Sequence, residues 1–323
     1  MRVVEVTRFG GPEVLVTREV PEPVAGPGQV VVDVSAVSVL FLDTQLRRGW
    51  GREYFPVNPP YVPGNGVAGR VRSVGAGVDP SWVGRRVVTR TVGNGGYAEQ
   101  ALAPVEGLSL VPEGLGLREA AALLHDGATA LGLAERARLR PGEWVLITAV
   151  GGGLGLLLVQ LARAAGARVI GAARGKQKLG VARELGAEAV FDYSEPGWAE
   201  RVREVTGGKG PDVVFDGAGG AVGQAAFEVT ARGGRFSAHG APGGGFTQID
   251  PQEAERRGVT VRGIDQVQFG PEEAKRMAEL ALAEAAAGRL KPVIGHTFPL
   301  ERAAEAHAAL EARGVVGKTL LVL

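Results

Sequence analysis

The segment from Glu143 to Gly171, EWVLITAVGGGLGLLLVQLARAAGARVIG, constrains this chain more than any other. Val145 to Ala149 is a short apolar run of the kind buried on both faces of a parallel sheet. Three glycines follow, then apolar residues at helical spacing from Leu154 to Ala165, then a second apolar run from Arg168 to Ala172. A strand, a glycine turn, a helix and a strand in that order make a phosphate site. Glycine lets the backbone approach closely, and the free N–H groups of the helix N-terminus hold negative charge together with the helix dipole. The spacing is Val150-x-Gly152-x-x-Gly155, so valine stands where a full G-x-G-x-x-G has its first glycine. With 51 glycines in 323 residues, that spacing alone is as readily an ordinary turn. Its place inside a strand–turn–helix–strand unit makes it a dinucleotide-binding turn.

NAD sites carry an Asp or Glu roughly 20 residues past the glycines, for the ribose 2′-OH. Here the sequence after the second strand is Ala172-Ala-Arg-Gly-Lys-Gln-Lys178, and no acid appears before Glu184. Arg174, Lys176 and Lys178 stand where an NAD enzyme has an anion, and they suit the 2′-phosphate of NADP. The plain alternative is a solvated helix start, but a basic first turn opposes the helix dipole.

Residues 1–124 read as short strands punctuated by glycine, which predicts a compact barrel-like β domain. Helices are expected over Arg118 to Leu124 and Thr129 to Ala137, and strands over Gly95 to Leu102 and five earlier runs. From Val145 onward, strands and helices alternate through a sixth strand at Val259 to Arg262, the pattern of a parallel sheet with helices on both faces. A long helix over Pro271 to Ala287 and a last strand, Lys318 to Leu323, close the chain. That strand is expected to pair back into the first domain. The nucleotide domain is then an insertion: 1–124 and 267–323 form one domain and 125–266 the other.

Composition excludes several classes. The net charge is +1 and no basic run is long, so nothing provides a nucleic-acid footprint. No apolar stretch reaches the ~18–20 residues of a membrane span. The N-terminus, Met1-Arg-Val-Val-Glu-Val, lacks a signal-peptide pattern, so a cytoplasmic location is expected. There are no cysteines, which removes disulfides, thiolate nucleophiles and thiolate metal sites.

Further pieces complete a series: Pro63-Gly-Asn-Gly-Val-Ala-Gly-Arg-Val71, Val74-Gly-Ala-Gly-Val78, Gly84-Arg-Arg-Val87, Gly95-Gly-Tyr-Ala-Glu99, Val111-Pro-Glu-Gly-Leu115, Ala120-Ala-Ala-Leu-Leu124, Gly127-Ala-Thr-Ala-Leu131 and Gly317-Lys318. In this order and spacing, over essentially the whole chain, they resemble the zinc-free medium-chain dehydrogenase/reductases of the quinone oxidoreductase kind. The resemblance implies an α/β fold: a GroES-like β-barrel catalytic domain carrying an inserted Rossmann domain. Two zinc-ligand positions of the related alcohol dehydrogenases fall on Leu40 and Asn65. Leucine offers no ligand atom and an amide oxygen is a poor one for zinc, so no metal is expected. The four histidines, His125, His239, His296 and His307, have no metal-ligand spacing and read as structural, with His239 the exception beside the cofactor.

The resemblance also implies NADPH as cofactor. Thr129 would reach the nicotinamide amide, and Gly152, Gly153 and Leu154 would line the pyrophosphate. Arg174, Lys178 and Tyr193 would surround the 2′-phosphate. Gly219, His239 and Gly240 would line the adenosine and nicotinamide side, with Lys318 coming in from the tail. Leu40, Gln45 and Asn65 would face the acceptor. Quinone reductases of this group often carry asparagine at Leu40 and tyrosine at Gln45, so this pocket is more apolar. Arg47, Arg48, Trp50 and Tyr54 lie close by in sequence, and the arginine pair reads as surface. The expected activity is hydride transfer to an electrophilic small molecule, a quinone or an α,β-unsaturated carbonyl. Enoyl thioester reduction, or a non-catalytic NADPH-binding redox sensor or interaction protein, are the alternatives. An alcohol dehydrogenase needs a Lewis acid or a base, and neither is visible. A homodimer is expected, joined at the apolar, β-branched, proline-free strand near Val259 to Arg262.

Overall fold

Short apolar strands closed by glycine turns build the first of two units in the computed structural model, which describes residues 1–51 and 56–323. Tyr54 lies outside the described residues. The first unit comprises Met1–Gly127 and Pro271–Leu323, the second Ala128–Gly270. The divisions fall at 127/128 and 270/271, where the sequence reading set 124/125 and 266/267.

In chain order, β1 (Arg2–Val6) and β2 (Leu15–Glu19) form an antiparallel hairpin. There follow β3 (Gln29–Val39), α1 (Phe41–Arg47), β4 (Gly66–Val74), β5 (Arg86–Arg90), β6 (Gln100–Pro104), β7 (Ser109–Leu110) and α2 (Leu117–Ala137). β3 organises this unit, pairing antiparallel with both β4 and β6. Its register against β4 shifts twice, between Val31 and Val32 and between Val34 and Ala36; such bulges bend a strand and increase its twist. Val32, Val67, Val87 and Ala103 are buried in the resulting core.

Two expectations are corrected here. The strand expected from Gly95 begins only at Gln100, because Gly95 sits at φ +122° and the chain turns Tyr97 fully into the core. The two helices expected around residue 127 are one. Gly127 is a packing residue rather than a break: a Cβ there would lie 2.8 Å from the Ala281 Cβ and 3.1 Å from the Leu123 side chain. Glycine inside a helix costs about 1 kcal/mol relative to alanine, but alanine here would press on Ala281 and Leu123.

The second unit continues with β8 (Trp144–Thr148), α3 (Gly153–Ala164), β9 (Arg168–Ala173), α4 (Lys176–Glu184), β10 (Ala189–Asp192), α5 (Trp198–Val205), β11 (Val213–Asp216), α6 (Gly220–Val229), β12 (Arg235–Ala238), α7 (Pro251–Arg257) and β13 (Thr260–Arg262). All six strands are parallel, in the order β10-β9-β8-β11-β12-β13. Every residue of the apolar run in β8 is buried, as its central place in the sheet requires. The order reverses between β8 and β11, the switch point where open α/β sheets bind ligands. β13, an edge strand, is exposed at all three residues.

The chain returns to the first unit through α8 (Pro271–Ala286), β14 (Ile294–Pro299), α9 (Ala303–Glu311) and β15 (Lys318–Val322). β15 pairs with β3, as expected of the closing strand. Among the described residues, no helix is long and apolar enough to cross a membrane.

Candidate functional site

At the switch point, β8 ends in Thr148 and the chain turns through Ala149 to Gly152, where α3 begins. Ala149 has φ +50° and Gly152 caps the helix with no side chain of its own. Two glycines here are held by their neighbours. A Cβ at Gly155 would lie 2.7 Å from Val150 Cα, so glycine lets α3 pack on the strand end. A Cβ at Gly151 would lie 2.5 Å from Lys178 Cβ, so the Lys178 stem lies across the turn. At Gly152 the space ahead is open, with only the Ala149 carbonyl oxygen within 4 Å of a Cβ, at 3.5 Å. Gly152, Gly153, Leu154 and Lys178 thus meet at one helix N-terminus, an anion site by its free N–H groups and dipole. Gly151 is a member the sequence reading missed; its place beside Gly152 was the available signal.

Arg174 is exposed at the end of β9. The Tyr193 backbone N–H donates to the Ala173 carbonyl at 3.3 Å, beside it, while the Tyr193 ring packs edge-on against Trp198. Between them lies Asp192, an acid the sequence reading did not weigh. Its carboxylate accepts from the Gly175 N–H at 2.8 Å and from the Ser194 N–H and hydroxyl at 2.9 and 2.6 Å. Burial alone raises its pKa, but those bonds and the Arg174 charge hold it below the usual carboxylate range. Its oxygens are committed to the loop.

Gly219, His239 and Gly240 converge at the ends of β11 and β12. A Cβ at Gly219 would lie 2.5 Å from the Gly240 carbonyl oxygen, and one at Gly240 would lie 2.1 Å from that of Gly217. Gly217 in turn approaches His239 Nε2 and the Thr148 carbonyl, so this turn lies against the end of β8. Asp216, also missed, holds it in place. The fully buried carboxylate accepts from Thr148 Oγ1 at 2.7 Å, from the Ala218 and Gly219 N–H groups at 3.1 and 3.0 Å, and from Thr247 Oγ1. Burial, opposed by the Asp216 charge, lowers the His239 pKa to about 4, so its ring is neutral near pH 7. Thr129 is half-buried in α2 and takes no part in these contacts.

In the first unit, Leu40 caps the N-terminus of α1, and its N–H donates to Asp43 Oδ2 at 2.9 Å. Gln45 is half-buried on the same helix, its Nε2 3.3 Å from Thr44 Oγ1. Asn65 precedes β4, and its Oδ1 is buried with no hydrogen-bond partner. Lys318 starts β15, and its ammonium donates to Asp126 Oδ1 at 2.9 Å. Among the described residues, no three His, Cys, Asp or Glu side chains form a group that could hold a metal.

Beneath α1 lies a buried polar cluster. The Tyr97 hydroxyl donates to Asp43 Oδ2 at 3.2 Å and lies 2.9 Å from His307 Nε2. Burial raises the Asp43 pKa to about 6, against the bonds from Leu40 and Tyr97 and the charge of Lys318. The surface reading of the arginine pair holds for Arg48 and fails for Arg47. Arg47 is fully buried, and its Nη2 pairs with Glu311 Oε1. The reason is α9, which brings Glu311 beneath α1 and lets one carboxylate take both arginines; exposed Arg48 reaches it at 2.9 Å.

The fold and the glycine turn define a dinucleotide-dependent dehydrogenase or reductase with a GroES-like first unit. Residues 26–113 match the alcohol dehydrogenase GroES-like domain, and residues 153–283 match the family model described as zinc-binding dehydrogenase. The pig (Sus scrofa) quinone oxidoreductase is 34% identical over 100% of this chain and 98% of its own length. A 2-haloacrylate reductase from a Burkholderia species is 35% identical over 98% of this chain and 97% of its own. The crystal structure of Escherichia coli quinone oxidoreductase complexed with NADPH is 29% identical, has a TM-score of 0.92 and covers 100% of both chains. The chain belongs to the quinone oxidoreductase family of medium-chain dehydrogenases/reductases and is an oxidoreductase.

Proposed function

We propose that this protein reduces an electrophilic small molecule, a quinone or an α,β-unsaturated carbonyl, with NADPH and without a metal. The observation that carries the reading is the glycine turn: Gly152 opens onto free space at the N-terminus of α3 while the Lys178 stem lies across Gly151. That cradle fits a pyrophosphate, and Lys178 with Arg174 fits the 2′-phosphate. NADPH held there would supply a hydride to the acceptor carbon, with the displaced electron pair moving to the acceptor oxygen and a proton from water completing the two-electron reduction.

The residues of this chain bind, orient and exclude water. Leu40 is aliphatic and Asn65 offers an amide, so the acceptor side supplies hydrogen bonds rather than a Lewis acid. Such a side favours an acceptor that is already electrophilic, since little polarises a poor one. NADPH absorbance decay tests this against benzoquinone, naphthoquinone, phenanthrenequinone, an alkenal and a simple ketone. Turnover is expected with the quinones or the alkenal and little with the ketone, unchanged by chelator. Tight NADPH binding with no acceptor reduced would favour the sensor reading, and loss of turnover on removal of stoichiometric zinc would overturn the metal-free one.

A further inference from the structure

We propose that His125, together with Asn65, hydrogen-bonds the acceptor oxygen on which negative charge develops. The proposal rests on the reductase reading above and adds a residue that the sequence reading left as structural.

His125 lies on α2 within the first unit and is half-buried as a residue. Its Nε2 is buried and has no hydrogen-bond partner; Asn65 Oδ1, an acceptor, also lacks one, and the group on that amide able to donate to an oxyanion is Nδ2. The residue after Asn65 joins the two. A Cβ on Gly66 would lie 2.4 Å from His125 Nε2 and 2.8 Å from Leu124 Cδ2, so the imidazole lies directly on the first residue of β4. At His125, leucine would fill space without leaving a polar atom unpaired.

The charges around the ring decide what it can do. Burial, and the positive charges of Arg90 and Lys318, lower its pKa to about 3. Arg90 is paired with Gly66 across β4 and β5, and Lys318 is held by Asp126. The imidazole is therefore neutral near pH 7, carrying one N–H donor and one lone pair. It is not an acid that gives up a proton. As a fixed dipole aimed at a developing oxyanion, its N–H stabilises charge that exists only as the hydride arrives. Asn65 directly precedes Gly66, the residue on which the imidazole lies, and its Nδ2 is the second donor in the proposal.

The test compares wild type, His125→Leu, His125→Gln and Gly66→Ala, measuring kcat/KM with naphthoquinone and NADPH affinity by fluorescence. His125→Leu is expected to lower kcat/KM by about 10²-fold, the size of losing one oxyanion donor, with NADPH affinity unchanged. Gln keeps a donor and is expected to recover most of the loss. Gly66→Ala displaces the ring without altering it and is expected to match His125→Leu. If His125→Leu does not fold, the other two variants decide. Full activity in both His125→Leu and Gly66→Ala would overturn the proposal, as would a fall in NADPH affinity as large as the fall in kcat/KM. So would a wild-type pH profile with a limb near pH 6–7 that disappears in His125→Gln, since the group would then titrate. A wild type that binds NADPH tightly but reduces no acceptor would sink the reductase reading and this proposal with it, an outcome distinct from all the others.

Discussion

In the second unit, Asp216 is fully buried and its carboxylate takes four hydrogen bonds; in the first, Arg47 is fully buried and its Nε and Nη1 take none. The contrast extends beyond these two residues. Among the described residues, every buried side-chain nitrogen or oxygen without a partner belongs to the first unit: Ser38, Arg47, Tyr61, Asn65, Gln100, His125, His307 and Thr319. Each such atom costs about 1–3 kcal/mol when left unpaired. The second unit spends the Asp216 carboxylate on its own turn. The first unit carries side chains whose polar atoms find no partner within the chain.

The largest expected effect tests that division directly. Asp216→Ala removes the acceptor of two buried hydroxyls and of the Gly219 N–H, while the Ala218 N–H keeps Thr148 Oγ1, and is expected to cost about 3 kcal/mol, or roughly 6–12 °C in Tm for a unit of this size. Ser38→Ala and Thr319→Val remove atoms that already lack partners, and are expected to leave Tm within about 2 °C of wild type or to raise it. Thermal unfolding followed by far-UV circular dichroism gives all three values. A loss at Ser38 or Thr319 as large as that at Asp216 would erase the distinction between the units.

The second expected effect lies at the cations of the nucleotide unit. Charge-assisted hydrogen bonds are worth about 1.5–3 kcal/mol each. Two of them on a 2′-phosphate, discounted for the exposure of Arg174, give NADPH roughly 10²-fold preference over NADH, at about 1.4 kcal/mol per decade. Fluorescence titration of both cofactors measures it. Arg174→Ala and Lys178→Ala are each expected to remove about tenfold, with Lys178→Ala also uncovering Gly151 and weakening both cofactors. Equal wild-type affinity for NADPH and NADH would overturn the assignment of these cations.

The two units also differ in how much of them could be read from sequence. The nucleotide unit was legible because its signals are local: β8, the glycine turn and α3 are contiguous, and glycine positions report backbone geometry. Even there Asp216 escaped notice, since its partners Thr148 and Thr247 lie 68 and 31 residues away. In the first unit, the glycine-spaced strands and the returning β15 were legible, but the polar interior was not. Arg47 finds Glu311 across 264 residues, and Tyr97 finds His307 across 210. A lone arginine on a short helix carries no local sign of burial, so the surface reading failed at the one position where tertiary pairing decides. Gly127 misled for the opposite reason: it carries a strong local signal, but helix–helix contact with Ala281 is what places it.

The smallest expected effect concerns Leu40 and Gln45, which the proposed function assigns to the acceptor and where the chain departs from the quinone reductases it resembles. Leu40 sits at the N-cap of α1 with extended backbone, φ −96° and ψ 149°. Asparagine at such a position accepts from the first free N–H groups of the helix, which leucine cannot do, and the exchange is worth about 0.5–2 kcal/mol. Leu40→Asn should therefore raise Tm slightly whatever it does to catalysis, and stability and turnover must be read separately. Gln45→Tyr adds a hydroxyl on the same half-buried helix face and gives up only the 3.3 Å contact with Thr44. Together the two changes supply polar groups where the chain now offers mostly hydrocarbon. If hydrogen bonding to the acceptor limits the wild type, the double variant should raise kcat/KM for naphthoquinone about 3- to 10-fold, up to about 1.4 kcal/mol of transition-state stabilisation. NADPH affinity should not move, because neither side chain is among those assigned to the cofactor. A gain in Tm with no gain in turnover would show that position 40 matters to the helix alone. It would also leave Asn65 and His125 as the groups that orient the acceptor, so the double variant should then be as sensitive to His125→Leu as the wild type.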